Sequence, residues 1–269
     1  MDGLTEVRKL YLDLVQKCII NTIYEDPGQG LLSNNNFVPQ VRELGRDWPS
    51  KAHSMIGNQR MTNLRQITEH VITNHVPGDF IETGVWRGGA CIMARAVLKA
   101  YGVTDRRVWV ADSFCGLPAP NPKYAADAND KLYSFPILAV SLEQVKSNFA
   151  KYDLLDDQVV FLKGWFSETL PKAEIKSLAV LRLDGDMYES TMDGLTNLYD
   201  KVSSGGFVIV DDFGAVAACQ QAVMDFRKER GIEDQIHNVD GIGVFWRKSA
   251  ASVNIPVGSV LGASVGQQL

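Results

Sequence analysis

The sequence predicts an α/β fold built on a doubly wound, mostly parallel sheet of seven strands. From residue 79 onward, short apolar segments alternate with amphipathic segments that have the period of a helix. The apolar segments are nearly continuous, which is typical of strands buried on both faces. Strands that alternate with helices along a chain form a parallel sheet with helices on both sides.

The N-terminal part of the chain is predicted to be helical. Through the first 24 residues, apolar residues recur at three- and four-residue spacing, as in a helix with one apolar face. That pattern ends at Glu25-Asp26-Pro27-Gly28, and residues 60–75 resume it before the breaker Pro77-Gly78. We therefore expect three parts, which are an N-terminal helical and lid extension over 1–76, a core over 77–248 and a flexible tail over 249–269.

The core contains seven strand-like segments separated by helical ones. In chain order they are DFIETG, RRVWVADSF, QVVFLKG, SLAVLRLDGD, GGFVIVDD, DQIHNV and GIGVFWRK. One stretch departs from the alternation, the residues 113–140 that follow the second strand and are rich in Pro, Asn and Ala. Stretches of that length are usually lids or disordered, and this one lies where α/β proteins bind ligands, so we interpret it as a substrate-covering lid.

Composition and charge argue against two classes of binding partner, nucleic acids and membranes. The chain of 269 residues has a formal net charge of -5, a pI near 5.4 and no run of Lys and Arg, which argues against nucleic acid as a partner. No apolar stretch approaches the roughly 18 to 20 residues of a membrane span, and the N-terminus is charged rather than signal-like. We therefore expect a cytoplasmic protein without a membrane partner. The four cysteines form no C-x-x-C pair, so neither a zinc site nor a disulfide framework is predicted.

The first strand of the core ends in IETGVWRGGA, a glycine-rich turn into a helix. The turn resembles a dinucleotide-binding fingerprint but lacks the G-x-G-x-x-G register. Glu82 precedes Gly84, and a carboxylate there would repel a phosphate but would suit a ligand with a positive end, such as an aminoacyl group or a sulfonium. The alternative is a tight turn without a ligand.

Two further strand ends carry polar or aromatic residues. The second strand ends in Asp112-Ser113, where a carboxylate can accept hydrogen bonds from the two hydroxyls of a ribose. The alternative for this pair is a helix or turn cap. The third strand ends in Gly164-Trp165-Phe166, whose rings could border a flat base or could equally belong to the core.

Acidic residues follow the fourth and fifth strands. If these strands are neighbours, roughly 4.8 Å apart, Asp184, Asp211 and Asp212 converge at one edge of the sheet. Three carboxylates repel one another unless a proton or a cation lies between them, and oxygen ligands suit Mg²⁺ or a similar hard divalent ion. The alternative is a set of caps and turn formers bonded to nearby backbone N–H groups.

Asp186 lies one glycine beyond Asp184. A cation that holds a substrate hydroxyl makes it more acidic, and a carboxylate one step away can take its proton. We therefore predict Asp186 as the catalytic base. It could instead be a fourth metal ligand, or a cap for the helix at Ser190-Thr191.

Several long motifs recur in the order of a known family. They are AHSMIGNQRMTNL, VPGDFIETGVWRGGA, VWVADSFCGLP, LKGWFSETLP, LRLDGDMYESTMDGL, GGFVIVDDFG and DGIGVFWR. Over about residues 10–248 the chain resembles the macrocin O-methyltransferase family of natural-product tailoring enzymes, whose members methylate sugars of macrolide and aminocoumarin antibiotics. The resemblance implies a class I methyltransferase fold that binds S-adenosylmethionine, a divalent cation usually taken to be Mg²⁺, and a hydroxyl acceptor on a bulky secondary metabolite.

The same resemblance implies roles for individual residues. Asp184, Asp211 and Asp212 match the metal positions, and Asp186 matches the proposed base. The implied cofactor-binding set is Ile56, Glu82, Thr83, Gly84, Asp112, Ser113, Gly164, Trp165 and Asp184. Within it, Ile56 belongs to an N-terminal segment that folds over the cofactor. A homodimer or larger assembly is also implied, and nothing in the family accounts for the stretch after Ser249.

The resulting hypothesis is an in-line methyl transfer to a hydroxyl, for which we expect a sugar. The metal holds the acceptor oxygen, Asp186 removes its proton, and the oxygen attacks the sulfonium methyl. Alternatives are a phenol- or catechol-type O-methyltransferase, a metal-dependent hydrolase, which would also use clustered aspartates, and a catalytically inactive cofactor-binding protein. The glycine register disfavours a NAD-dependent dehydrogenase.

Overall fold

A twisted sheet of seven strands lies at the centre of the computed structural model, which describes residues 3–29 and 34–249. The strands are β1 (Asp79–Thr83), β2 (Val108–Asp112), β3 (Val159–Lys163), β4 (Leu178–Leu183), β5 (Val202–Val210), β6 (His237–Asn238) and β7 (Val244–Arg247). Their order across the sheet is β3-β2-β1-β4-β5-β7-β6. Strands β1 to β5 pair in parallel, while β7 is antiparallel to both β5 and β6. The predicted seven-stranded, mostly parallel sheet is confirmed.

Helices cover both faces of the sheet. They are α1 (Gly3–Ile19), α2 (Pro39–Glu43), α3 (Gly57–Thr73), α4 (Gly89–Ala100), α5 (Leu142–Ala150), α6 (Phe166–Thr169), α7 (Tyr188–Leu198) and α8 (Ala217–Arg230). Successive residues of a strand point to opposite faces, so Phe80 packs into one buried cluster with α1, α3, α4 and α5, while Ile81 packs into a second cluster with α7 and α8. The doubly wound arrangement follows from these two apolar layers.

The N-terminal segment contributes to the main core. Leu12 and Ile19 of α1 and Met61 of α3 are fully buried in the same cluster as α4. The apolar pattern runs through the first 24 residues, but helix α1 ends at Ile19. The chain turns after Ile20, and Asn21 adopts a left-handed φ of 53°. The boundary that we placed between residues 76 and 77 stays a prediction.

The predicted lid over residues 113–140 packs against the rest of the molecule. It contains three short 3-10 turns, Ala125–Asp127, Leu132–Ser134 and Pro136–Leu138. The indole N–H of Trp86 donates a 2.8 Å hydrogen bond to the carbonyl of Ile137, and Phe135 meets Trp48 edge to face at 5.4 Å between ring centroids. The lid is therefore fastened both to the β1–α4 turn and to the N-terminal segment.

Two expectations concern the limits of the fold. None of the helices in 3–29 and 34–249 is long and apolar enough to cross a membrane. The predicted flexible tail lies outside the described residues from residue 250 onward.

The buried face of α1 offers a test of how the N-terminal segment packs. Leu12 on this face is 0% exposed. We expect Leu12→Ala to lower the free energy of unfolding by about 2–5 kcal/mol, because it removes buried methyl groups and leaves a cavity. Leu155→Ala, at a 42% exposed position outside α1, is the control and should change it by no more than about 0.5 kcal/mol. Urea denaturation of both variants measures this, and equal losses would contradict the packing described.

Candidate active site

A cavity of about 540 Å³ lies over the carboxyl ends of the parallel strands. Its wall brings together most of the residues predicted from the sequence, which are Ile56, Gly84, Asp112, Ser113, Gly164, Trp165, Asp184, Asp186, Asp211 and Asp212. Two predicted residues, Glu82 and Thr83, are each 1% exposed and are not part of the wall. The lid closes one side of the cavity through Asn121, Leu132 and Leu138.

Gly84 allows the ends of β1 and β4 to meet. Its φ is +87°, and a Cβ at this position would lie 1.8 Å from the carbonyl oxygen of Asp184. The amide of Asp184 in turn donates to the carbonyl of Thr83 at 2.9 Å. Only glycine allows the two backbones to approach this closely, so the glycine turn after β1 and the acidic segment after β4 depend on each other for their positions.

Glu82 lies behind the cavity and faces a cation of the protein itself. Its carboxylate accepts hydrogen bonds from the guanidinium of Arg182 and from the thiol of Cys91, at 2.9 Å for the latter. Burial raises the pKa of Glu82 to about 7, and the positive charge of Arg182 opposes that rise. The predicted contact of Glu82 with the cofactor stays a prediction, as does that of the buried Thr83.

Asp112 stands at the end of β2 on the cavity wall. Its two carboxylate oxygens accept backbone N–H groups from Val85 at 2.8 Å and Phe114 at 2.6 Å. It therefore acts as a turn cap, the alternative that the sequence left open. The hydroxyl of Ser113 also donates to this carboxylate at 3.5 Å, and a role toward a ribose stays a prediction. Burial raises the pKa of Asp112.

The carboxylates that follow β4 and β5 converge as predicted. One oxygen each of Asp184, Asp211 and Asp212 lie within 4.8 Å of one another. Opposite ligands of an octahedral Mg²⁺ are roughly 4.2 Å apart, twice the usual Mg–O distance. Burial, followed by the charges of Asp186 and Asp184, raises the pKa of Asp212 well above its ordinary value. The all-oxygen donor set fits a hard divalent cation, and oxygens spread over up to 4.8 Å would have to draw slightly closer to share one Mg²⁺.

Two arginines that the sequence analysis did not single out hold this cluster. Arg182, the penultimate residue of β4 and 1% exposed, donates to Glu82, to Asp184 at 2.5 Å and to Asp211. Arg60 of α3 donates to the other oxygen of Asp211 and, at 3.0 Å, to Asp240. A charged residue inside the apolar run LAVLRL was the signal for Arg182, since a buried cation requires partners.

Asp186 has a different environment from its neighbours. It adopts a left-handed φ of 56°, and its amide donates to Asp212 at 3.2 Å. Within 3–29 and 34–249, its carboxylate accepts no hydrogen bond and forms no ion pair, yet it lines the cavity. Burial, and then the charge of Asp184, raise its pKa to about 8. The cap alternative for Asp186 is wrong, because Asp127 accepts the first amides of α7 instead.

The remaining wall residues come from two separate segments. Ile56 precedes α3 and is buried, whereas Trp165 follows β3 and is partly exposed beside Phe166. Their predicted contacts with a cofactor stay predictions, as do those of Ser113 and Gly164. Trp86 is a wall residue that the sequence analysis missed, and its position in the β1–α4 turn was the available signal.

The strand order, with β7 antiparallel at the far side, and the crevice over the strand ends define a class I methyltransferase. The family profile described as macrocin O-methyltransferase (TylF) matches residues 8–248. The chain belongs to this family.

Relatives agree on the activity. The chain is 54% identical over 250 residues to the 8-demethyl-8-(2,3-dimethoxy-α-L-rhamnosyl)-tetracenomycin-C 4'-O-methyltransferase of Streptomyces olivaceus, covering 92% of this chain and 95% of the relative. It is 52% identical over 245 residues to the demethyldecarbamoylnovobiocin O-methyltransferase of Streptomyces niveus, covering 89% and 94%. The solved structure of the O-methyltransferase NovP superposes with a TM-score of 0.87 at 52% identity, covering 90% of this chain and all of that one. The protein is an O-methyltransferase.

Arg182 provides a test of the buried network. We expect Arg182→Met to lower the free energy of unfolding by about 3–5 kcal/mol, because it leaves buried carboxylates without their cation. The control is Arg230→Met, which breaks an exposed ion pair with Asp200 and should cost no more than about 1 kcal/mol. Chemical denaturation of both variants measures the difference. Equal effects would show that Arg182 is not the structural centre of the cluster.

Proposed function

We propose that this protein is an S-adenosylmethionine- and Mg²⁺-dependent O-methyltransferase that methylates a sugar hydroxyl of a bulky secondary metabolite. Support for the acceptor class comes from the relatives, one of which is named for 4'-O-methylation of a rhamnosyl-tetracenomycin. Support for the methyl donor comes from the class I fold and from a cavity whose volume falls within the range of about 300–1,000 Å³ typical of small-molecule sites.

The observation that carries the proposal is the isolation of the Asp186 carboxylate. Asp184 and Asp211 are engaged by guanidinium groups, whereas Asp186 projects into the cavity without a partner among the described residues. A general base needs such an oxygen within reach of the proton that it accepts. Asp212 also lacks an arginine partner but is assigned to the cation, so Asp186 is the acid that we assign to this role.

The division of labour among the wall residues follows from their positions. Asp184, Asp211 and Asp212 would hold the cation, while Gly84, Asp112 and Trp165 would surround the methionine, ribose and base parts of the methyl donor. When bound, the cation would make an acceptor hydroxyl more acidic and the sulfonium would supply the methyl group. Asp186 accepts the hydroxyl proton at a carboxylate oxygen. Positioning of the acceptor oxygen by the lid and the cavity floor supplies the rest of the rate enhancement.

The acceptor end of the cavity is rich in hydrogen-bond acceptors. Glu189 and Asp193 lie four residues apart on α7, and both line the cavity. Burial raises the pKa of Asp193 to about 6. Carboxylates in this arrangement suit an acceptor with several hydroxyls, as a sugar has, better than a flat phenol.

Assembly belongs to the same proposal. Leu4, Val7, Leu10 and Leu14 form an exposed apolar stripe along the outer face of α1. Exposed apolar stripes of this kind mark contact surfaces, which supports the homodimer or larger homo-oligomer implied by the family.

Asp186→Asn tests the proposed base. Asn tolerates the left-handed backbone of this position, so the fold should be kept while the proton acceptor is lost. We expect kcat to fall by about 10²- to 10⁴-fold with the affinity for S-adenosylmethionine unchanged. Methyl transfer is measured with the two acceptors named by the relatives, the dimethoxyrhamnosyl tetracenomycin and demethyldecarbamoylnovobiocin. Asp200→Asn, which changes an exposed acid far from the cavity, is the control, and a D186N variant with normal kcat would refute the role.

Asp212→Asn tests the proposed cation site. We expect Mg²⁺ affinity to fall by at least about tenfold, because loss of a ligand should cost no less than loss of a residue that only orients one. Isothermal titration of Mg²⁺ measures this, and S-adenosylmethionine binding should persist. Asp105→Asn, at an exposed position between α4 and β2, serves as the control. Equal Mg²⁺ affinity in D212N and D105N, or turnover that survives EDTA, would contradict the site.

A further inference from the structure

Helix α7 begins directly after Asp186 and has no cap of its own. Its N-cap residue is Met187, whose side chain cannot accept a hydrogen bond from the first turn. The first amides of a helix have no partner within it, so the N–H groups of Tyr188 and Glu189 require acceptors from elsewhere. The backbone that carries Asp186 is therefore joined to a helix end whose stability depends on another part of the chain.

The lid supplies those acceptors. Asp127, which is 0% exposed, accepts the amide of Tyr188 at 2.7 Å with one carboxylate oxygen and the amide of Glu189 at 3.0 Å with the other. Its negative charge also lies at the positive end of the helix dipole. The capping residue is thus about 60 positions earlier in the chain than the helix that it caps.

Two more contacts join the same surfaces. The amide side chain of Asn121 donates to the carboxylate of Glu189 at 2.9 Å, and the rings of Tyr124 and Tyr188 lie 5.7 Å apart between centroids. Both Asn121 and Glu189 line the cavity. The part of the lid that covers the acceptor space and the part that caps α7 are therefore one continuous segment.

We propose that Asp127 is a positioning residue, through which closure of the lid completes the first turn of α7 and orients Asp186 toward the cavity. The inference rests on the proposed role of Asp186 as the base. When the lid lifts, the amides of Tyr188 and Glu189 lose their acceptors and the first turn of α7 frays. Asp186 adopts a left-handed φ of 56°, which an Asp can adopt but which is not its preferred conformation, so release of the turn that follows lets its backbone sample other conformations. The base is assembled only when the lid is shut over an acceptor.

The first test is hydrogen exchange, which requires no acceptor. In the full-length protein with S-adenosylhomocysteine and Mg²⁺, we expect Asp127→Ala to speed exchange of the amides of Tyr188 and Glu189 by about fivefold to thirtyfold, the factor that corresponds to loss of one N-cap. Asp127→Asn keeps one acceptor oxygen and should give an intermediate value. Ser141→Ala is the matched control, since Ser141 caps α5 and does not touch α7. Unchanged exchange of the two amides in D127A would overturn the proposal.

The second test separates positioning from a merely structural cap. With the rhamnosyl-tetracenomycin or novobiocin acceptor, we expect D127A to lower kcat by about fivefold to thirtyfold and to leave the KM for S-adenosylmethionine unchanged. D127N should recover part of the lost kcat, and S141A should keep a normal kcat. The double variant D127A/D186N should be no slower than D186N alone, because residues that act through one another are not additive. A further loss in the double variant would overturn the proposal. A normal kcat in D186N would instead refute the role of Asp186 as the base. The hydrogen-exchange result would then decide separately whether Asp127 caps α7.

Discussion

The arrangement of acids in the site depends on one buried, positively charged side chain, that of Arg182. Arg182 lies inside the sheet and binds carboxylates from three adjacent strands, which are Glu82 of β1, Asp184 after β4 and Asp211 after β5. Without a positive charge at this place, these three acids could not remain close together in a region of low polarity. Arg60 repeats the arrangement from the N-terminal side, so that Asp211 is held between two guanidinium groups. Asp212 and Asp186, which line the cavity together with Asp184 and Asp211, have no arginine partner among the described residues.

The acids of the cluster thus fall into two groups, those that pair with arginines and those that do not. The arginines pair with Glu82, Asp184 and Asp211, whereas Asp212 and Asp186 are the acids to which the proposal assigns an unpaired oxygen for a cation and for a proton. The N-terminal segment takes part in this pairing, because α3 carries Arg60 and packs in the same apolar layer as α1 and α4. The segment is therefore joined to the site by ion pairs as well as by apolar contact.

Much of the fold and the main acidic cluster could be predicted from the sequence, for physical reasons. The continuous apolar strands and intervening amphipathic helices determine a parallel sheet, and a parallel sheet brings the ends of neighbouring strands together, which placed Asp184 near Asp211 and Asp212. The pairing of Glu82 with Arg182 depends on strand register, since these two residues are direct partners across β1 and β4. The register between two strands that lie 100 residues apart in the chain cannot be inferred from the local spacing of apolar residues. The capping of α7 by Asp127 and the reach of Arg60 depend on tertiary packing in the same way.

The contact at Gly84 has a consequence for how such an enzyme can diversify. Because a single added methyl group there would collide with the backbone of Asp184, this position is closed to every residue that has a side chain. The lid side of the wall has no such restriction, because Asn121, Leu132 and Leu138 line the cavity with side chains. Substitutions that reshape the cavity are therefore expected in the lid, with Asp127, which is buried against the start of α7, retained.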